Sequence, residues 1–133
     1  MILIDTGPIV ASFDKNDEHH RLCLGVLKKL QSPLITTIAV LTEAFHLLGY
    51  SWYVQDILWE AVLHDKLQVY DLDKSLLTRC YELMNKYNDL PLDFADATLM
   101  AIAETKKVPT IFTLDKDFRI YKSKYGKNFK LLP

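Results

Sequence analysis

Short apolar runs alternate with longer helical patterns along this chain of 133 residues. Four runs are expected to form strands, at residues 1–5, 33–36, 67–72 and 110–114, and a short edge strand is expected near residues 129–132. Each gap between the first four runs is longer than the dozen or so residues that a helical crossover needs. Because such crossovers are right-handed and cover the sheet, the pattern predicts an α/β fold, a parallel sheet flanked by helices on both faces.

Capping residues set the expected bounds of the helices. A short helix is expected from Pro8, with Thr6 as its cap, and a longer one from about residue 17 to 31. Four later helices have caps of their own: Thr37 for a helix to Gly49, Ser51 for 52–65, Asp73 for one to about Tyr87, and Asp93 for one to about Lys106. In the helix after Ser51, large apolar residues are expected to pack inward: Trp52, Ile57, Trp59, Val62 and Leu63.

Length and composition fit a single folded domain over residues 1–133, with 50% hydrophobic and 25% charged residues. No apolar run approaches the ~20 residues that span a bilayer, and no basic segment precedes the first run. Neither a membrane span nor a signal peptide is therefore expected. Cys23 and Cys80 stand apart without metal-ligand spacing, which favours free buried thiols in a reducing cytoplasm.

Four carboxylates lie within or directly after apolar segments. Asp5 ends the first run, Asp115 follows the run 110–114, and Asp96 lies one turn into its predicted helix. Glu43 is the only formally charged residue in the stretch 37–48. A lone carboxylate in apolar surroundings is costly unless it is paired, protonated or bound to a cation. Because no basic residue occupies a matching position, these acids predict a metal site.

The predicted fold could gather these acids in one pocket. Parallel sheets bind ligands in the crevice beyond the carboxyl ends of their strands, where the strand order reverses, and Asp5 and Asp115 both follow such ends. Carboxylate oxygens suit hard cations such as Mg²⁺ or Mn²⁺. One or two such ions can activate a water for attack at phosphorus. Asp117 is expected to be more solvated and to act as a secondary ligand.

Each acid also has a purely structural explanation. Asp5 and Asp115 could cap the segments that follow them, and Asp96 could complete a capping box with Asp93. Glu43 is the hardest to explain in this way, because an apolar helix face offers it no evident partner.

The C-terminal part of the chain is basic. Residues 105–133 carry 8 basic and 2 acidic side chains, whereas residues 1–104 carry 8 basic and 15 acidic ones. Four aromatic residues lie among these lysines, namely Phe118, Tyr121, Tyr125 and Phe129. Such a mixture could attract phosphates and stack on unpaired bases, although a solvated, lysine-rich surface is the simpler explanation.

Several segments together resemble a PIN domain, and more narrowly the VapC-like toxins of prokaryotic toxin–antitoxin systems. The resemblance rests on Leu3-Ile4-Asp5-Thr6, on the isolated Glu43, and on the segments PLDFADATL (91–99) and IFTLDKDF (111–118). It spans nearly the whole chain. It implies a PIN-like, Rossmann-like fold and a metal-dependent endoribonuclease that hydrolyses RNA.

The resemblance also implies a site and partners. The acids that would bind Mg²⁺ or Mn²⁺ and carry catalysis are Asp5, Glu43, Asp96 and Asp115, with Asp93 and Asp117 as auxiliary acids and Thr6 and Thr113 as polar neighbours. Helices around residues 17–65 would meet a cognate antitoxin or a second protomer. A homodimer in the cytoplasm, away from membranes, is the expected setting.

Other classes of protein stay open at this point. A PIN-like RNA-binding module without catalysis would carry the same sequence features, because four acids do not ensure the right spacing. A response-regulator-like domain would have an acidic pair after the first strand, where this chain has Thr6 and Gly7. A haloacid-dehalogenase-like phosphatase would have Asp-x-Asp there, and Gly7 occupies the second acidic position.

Overall fold

The computed structural model describes residues 1–133 and contains a five-stranded, all-parallel sheet with six α-helices. The strands are β1 (Ile2–Ile4), β2 (Leu34–Thr37), β3 (Leu67–Tyr70), β4 (Thr110–Phe112) and β5 (Lys130–Leu132). The helices are α1 (Thr6–Phe13), α2 (His20–Lys29), α3 (Ile38–Leu47), α4 (Trp52–Leu63), α5 (Lys74–Lys86) and α6 (Phe94–Lys106). A 3₁₀ turn, Lys116–Arg119, follows β4.

The strand order is β3-β2-β1-β4-β5, with β1 at the centre of the sheet. Leu3 is paired with Ile35 of β2 on one side and with Ile111 of β4 on the other. The chain moves outward from β1 to β3 and then returns to β4 on the opposite side of β1. Right-handed connections consequently put the pair α1 and α2 on one face and the pair α5 and α6 on the other. The predicted fold is confirmed, and the order reverses between β1 and β4.

The interior of the sheet and helix α6 form the most deeply buried part of the molecule. Leu3, Ile35 and Ile111 have no exposed surface, and all ten residues from Ala95 to Glu104 are buried. A helix that is covered on all sides is normally apolar on all sides. Asp96 and Glu104 are the two buried acids of α6 and do not follow this rule, so the burial of each requires a specific explanation.

Most of the predicted caps are confirmed. The side chains of Thr37, Ser51, Asp73 and Asp93 each accept a hydrogen bond from the backbone N–H three residues further on. The predicted cap at Thr6 is wrong, because α1 begins at Thr6 itself and the side chain before it is the cap. Helix α2 is also shorter than predicted at both ends.

The predicted inward packing of α4 is wrong for most of the residues concerned. Trp52 is 67% exposed and Leu63 is 70% exposed, and Ile57 and Trp59 are exposed as well. Leu58 is the fully buried residue of this helix. The reason is that apolar residues occur around most of α4, whereas only one side of it can face β3 and α1.

Cys23 and Cys80 are free and buried, as predicted. None of the helices combines the length and the apolar composition needed to cross a lipid bilayer.

Candidate active site at the carboxyl edge of the sheet

Asp5 follows β1 and lies at the point where the strand order reverses. Its backbone N–H donates to the carbonyl of Phe112 at 2.9 Å, which joins it to the end of β4. Its carboxylate accepts two hydrogen bonds of 2.8 Å, from the Thr6 N–H and from the Thr113 hydroxyl. Burial nevertheless raises the pKa of Asp5 to about 6, because two donors do not replace full hydration, and the charges of Asp93 and Asp115 add to the shift.

Asp96 belongs to a reciprocal capping box at the start of α6. The Asp93 carboxylate accepts the Asp96 N–H at 2.9 Å, and the Asp96 carboxylate accepts the Asp93 N–H at 3.3 Å. Only 6% of Asp96 is exposed. Burial, followed by the negative charges of Asp5, Asp93 and Asp115, raises the pKa of Asp96 strongly. Asp96 therefore shares one electrostatic environment with Asp5 and Asp115.

Asp115 is held next to this cluster by Thr113. Its backbone N–H donates to the Thr113 hydroxyl at 3.0 Å, and its carboxylate accepts the Asp117 N–H at 2.9 Å. It thereby caps the 3₁₀ turn. Asp117 is partly exposed and lies within that turn, at the margin of the cluster.

Glu43 joins the cluster indirectly. It lies on α3, is partly exposed, and accepts a hydrogen bond from the Thr6 hydroxyl at 3.0 Å. Because the Thr6 N–H is bonded to Asp5, one residue connects the two carboxylates. Thr113 connects Asp5 to Asp115 in a similar way, since its hydroxyl bonds to both residues. Hydrogen bonds thus link Asp5 to Asp115 and to Glu43, and the charges of Asp5 and Asp115 act on Asp96.

The acids can serve as helix caps and as residues of the site at the same time. Asp5, Asp96 and Asp115 each take part in a cap, as the alternative interpretation expected. The caps of Asp5 and Asp115 follow β1 and β4 and so lie at the carboxyl edge of the sheet, whereas Asp96 belongs to the cap of α6, which follows α5. Capping therefore accounts for one hydrogen bond of each acid, but it does not supply a positive charge.

The donor set fits a hard cation. None of the ion pairs in the structure involves Asp5, Glu43, Asp96, Asp115 or Asp117. The side chains accept hydrogen bonds from threonine hydroxyls and backbone N–H groups, and no three acidic, histidine or cysteine side chains lie together in a geometry that could hold a metal ion. The cluster is nevertheless carboxylate-rich and without a positive partner, and oxygen donors of this kind suit a hard divalent cation.

A cavity of about 250 Å³ opens beside Asp115. Thr113 and Asp115 line it together with three basic side chains, His19, Lys116 and Arg119. Lys116 and Arg119 belong to the basic C-terminal part of the chain. Two positive side chains therefore line the same cavity as Asp115.

The aromatic part of the predicted base-stacking surface is wrong. Phe118, Tyr121 and Phe129 are buried, because they pack into the hydrophobic core, and only Tyr125 is exposed. The burial of Tyr121 was not predicted, and its hydroxyl, whose pKa is raised by burial and by the charges of the acids, has no hydrogen-bond partner in the protein. The spacing of Phe118 and Tyr121, three residues apart, is a signal that could have indicated a buried face of a helical turn.

A family model of the PIN domain matches residues 2–124, so the chain belongs to the PIN-domain family. This confirms the resemblance inferred from the sequence motifs. No curated protein matches the sequence significantly.

Solved structures with the same fold include several toxins. Mycobacterium tuberculosis VapC20, described as a sarcin–ricin-loop-cleaving toxin, has a TM-score of 0.81 at 20% identity, over 88% of this chain and 92% of that one. VapBC2 from Rickettsia felis, bound to a DNA fragment of its promoter, has a TM-score of 0.67 at 20% identity, over 99% and 98%. A toxin–antitoxin complex from Klebsiella pneumoniae has a TM-score of 0.70 at 17% identity, over 89% and 90%. At these identities the likeness concerns the fold.

Proposed function

We propose that this protein is a metal-dependent endoribonuclease that hydrolyses RNA phosphodiester bonds with Mg²⁺ or Mn²⁺. One observation carries the proposal. Asp5 and Asp115 come from distant segments of a PIN-domain chain and are joined by the Thr113 hydroxyl where the strand order reverses, and their charges act on the buried Asp96 without a basic partner. A cluster of this kind costs stability unless a cation compensates it.

The four acids of the sequence motif would hold the cation: Asp5, Glu43, Asp96 and Asp115, with Asp117 as a secondary ligand. A bound Mg²⁺ or Mn²⁺ supplies an activated water and offsets charge that develops at phosphorus. The chain itself contributes orientation. The Thr113 hydroxyl holds Asp5 and the Thr6 hydroxyl holds Glu43, so the carboxylates face the site in fixed rotamers.

The cavity beside Asp115 supports a polyanionic substrate. Lys116 and Arg119 line it and can bind phosphates, and His19 lines the same space. A single-stranded or looped segment of RNA is the expected substrate, because its bases are accessible in a way that paired bases are not.

The structural relatives point to a partner. Two of them are toxin–antitoxin complexes, and a third is a toxin. We propose that this chain is likewise the toxin of such a pair, that it acts in the cytoplasm as a homodimer, and that a cognate antitoxin covers it. Exposed apolar residues support an interface at α4, where Trp52, Tyr53 and Leu63 are 67%, 74% and 70% exposed.

RNA cleavage by the purified protein tests the proposal. In the presence of Mn²⁺ the protein should cleave RNA, and EDTA should abolish cleavage. Asp96→Asn should reduce the rate by at least ~100-fold, since it removes a ligand of the metal that activates the water. Asp89→Asn, on an exposed residue before α6, is the matched control and should leave cleavage unchanged.

The outcomes separate the candidate functions. Cleavage that persists undiminished in Asp96→Asn would contradict the assigned site. Metal-independent RNA binding without any cleavage would instead favour the non-catalytic PIN-like RNA-binding module. For the toxin role, expression of the chain alone should slow bacterial growth, and Glu43→Gln should restore it.

A further inference from the structure

Tyr121 carries the one buried polar side-chain atom in the structure that has no hydrogen-bond partner within the protein. The residue follows the 3₁₀ turn, and none of its surface is exposed. Buried hydroxyls are nearly always hydrogen-bonded, because they lose water without compensation otherwise. An exception in a native chain requires an explanation, and one explanation is a ligand that completes the bond.

The ring of Tyr121 is fixed by its neighbours. It lies edge-on to Phe118 at a centroid distance of 5.8 Å and edge-on to Tyr87 at 5.0 Å. Phe118 directly follows Asp117, so the ring is anchored to the same turn that Asp115 caps. The position of the hydroxyl is thus set by packing around the ring.

The hydroxyl lies close enough to the acids of the site for their charges to act on it. The charged groups that act on it are, from the strongest, Asp96, Asp117, Asp115 and Asp93. Burial together with these charges raises the pKa of Tyr121 to about 12, so the hydroxyl keeps its proton. Next to carboxylates, a protonated phenol acts as a hydrogen-bond donor.

We propose that the Tyr121 hydroxyl is a positioning group of the carboxylate site and that, once a divalent cation is bound, it donates a hydrogen bond to the oxygen ligands on the Asp96 side of the cluster, directly or through one ordered water. The proposal rests on the proposed metal site. Its physical basis is that groups which donate to metal-bound carboxylates or waters fix the orientation of those ligands, and their loss weakens metal binding by about 10- to 100-fold.

Tyr121→Phe is the decisive variant, because it removes the hydroxyl and keeps the ring. In EDTA the variant should be at least as stable as wild type, since it loses a buried hydroxyl that has no partner in the protein. Its affinity for Mn²⁺, measured by isothermal titration calorimetry without RNA, should fall by about tenfold or more. Cleavage at saturating Mn²⁺ should recover toward the wild-type rate.

Tyr87→Phe is the matched control and should show the opposite pattern. The Tyr87 hydroxyl accepts the Lys122 N–H at 3.1 Å, so its removal should lower stability in EDTA and leave the affinity for Mn²⁺ within about twofold of wild type.

Each outcome has a distinct meaning when Asp96→Asn is titrated in parallel. If Asp96→Asn weakens Mn²⁺ binding and Tyr121→Phe does not, the role of Tyr121 is contradicted while the metal site stands. If Tyr121→Phe is clearly less stable than wild type in EDTA, the hydroxyl serves the fold and the proposal is overturned. If wild type binds no Mn²⁺, or Asp96→Asn binds it normally, the metal site and the role of Tyr121 both fail.

Discussion

The Thr113 hydroxyl donates to the Asp5 carboxylate across 2.8 Å, although 108 positions separate the two residues in the chain. The same hydroxyl accepts the Asp115 N–H at 3.0 Å. One side chain therefore orients two acids that follow neighbouring parallel strands, β1 and β4. This arrangement depends on the switch in strand order, because only there do the ends of these two strands form adjacent walls of a crevice.

Thr113→Val should lower the free energy of unfolding by about 1–3 kcal/mol, because the buried Asp5 carboxylate loses a donor and the Asp115 N–H loses an acceptor. Urea denaturation in EDTA measures the effect. Thr110→Val, at the start of β4, is the matched control, and a change within ~0.5 kcal/mol is expected there. Equal costs for the two variants would show that the hydroxyl of Thr113 contributes no more to stability than the hydroxyl of Thr110.

The metal-free protein should lose stability as the pH rises from about 4 to about 8. The pKa of Asp5 is raised from 3.8 to about 6 and that of Asp96 is raised as well, so the folded state binds more protons than the unfolded state. The stabilising contribution of both groups is complete below about pH 4; that of Asp5 is lost as the pH rises through its pKa of about 6, and that of Asp96 as the pH rises through its pKa of about 8. Thermal melts in EDTA across this range should show a steeper decline for wild type than for Asp96→Asn.

Two further results follow from the repulsion between the charge of Asp96 and the charges of the neighbouring acids. At about pH 8 in EDTA, Asp96→Asn should melt no lower than wild type, because asparagine keeps an acceptor for the Asp93 N–H and removes one repelling charge. Saturating Mn²⁺ should stabilise wild type by ~2.7 kcal/mol at a hundredfold excess over the dissociation constant, and the variant by much less. If the acids served only as caps, Asp96→Asn would cost stability and Mn²⁺ would shift neither protein.

Local signals explain how far the sequence could predict this structure. The caps at Thr37, Ser51, Asp73 and Asp93 depend on residues within one helical turn, so they could be identified without knowledge of the tertiary fold. The acids at strand ends could be identified because apolar runs make a lone carboxylate conspicuous.

The features that were missed depend on tertiary contacts. Thr6 and Asp5 are both good caps, and only the hydrogen bond of Asp5 to β4 determines which of them precedes the helix. The exposed side of α4 was not evident because apolar residues occur around most of the helix. Tyr121 lies among lysines in the sequence, which suggested solvent, whereas packing against Phe118 and Tyr87 buries it.

Lys116 and Arg119, the two positive side chains that line the cavity, should contribute to RNA affinity. Replacing Lys116 and Arg119 with alanine should weaken binding of single-stranded RNA and reduce the salt dependence of log K by about 0.7 per lost phosphate contact. Fluorescence anisotropy at several salt concentrations measures both quantities, on an Asp96→Asn background that limits cleavage. Lys28→Ala with Lys29→Ala, at the exposed end of α2, is the charge-matched control. An equal loss in both double variants would mean that only net charge matters.

Arg79 and Glu104 form the most deeply buried ion pair of the chain, and this pair explains the second acid of α6. Arg79 Nε donates to Glu104 Oε2 at 2.7 Å and Nη2 donates to Oε1 at 3.0 Å, while the Lys124 N–H donates to Oε1 at 2.8 Å. Glu104 therefore ties α5 and α6 to the segment that follows Tyr121.

Arg79→Met should lower the free energy of unfolding by about 3–5 kcal/mol, because it leaves the Glu104 carboxylate buried without its cation. The double variant Arg79→Met with Glu104→Gln should recover part of this loss, since no uncompensated charge remains. Glu82→Ala is the control, because Glu82 pairs with the same arginine at 3.1 Å but has a side chain that is 54% exposed, and such pairs contribute about 1 kcal/mol or less. Urea denaturation of the three variants measures these differences. A loss in Arg79→Met no larger than that in Glu82→Ala would mean that water or a nearby lysine compensates Glu104, and that the ion pair does not hold the C-terminal segment in place.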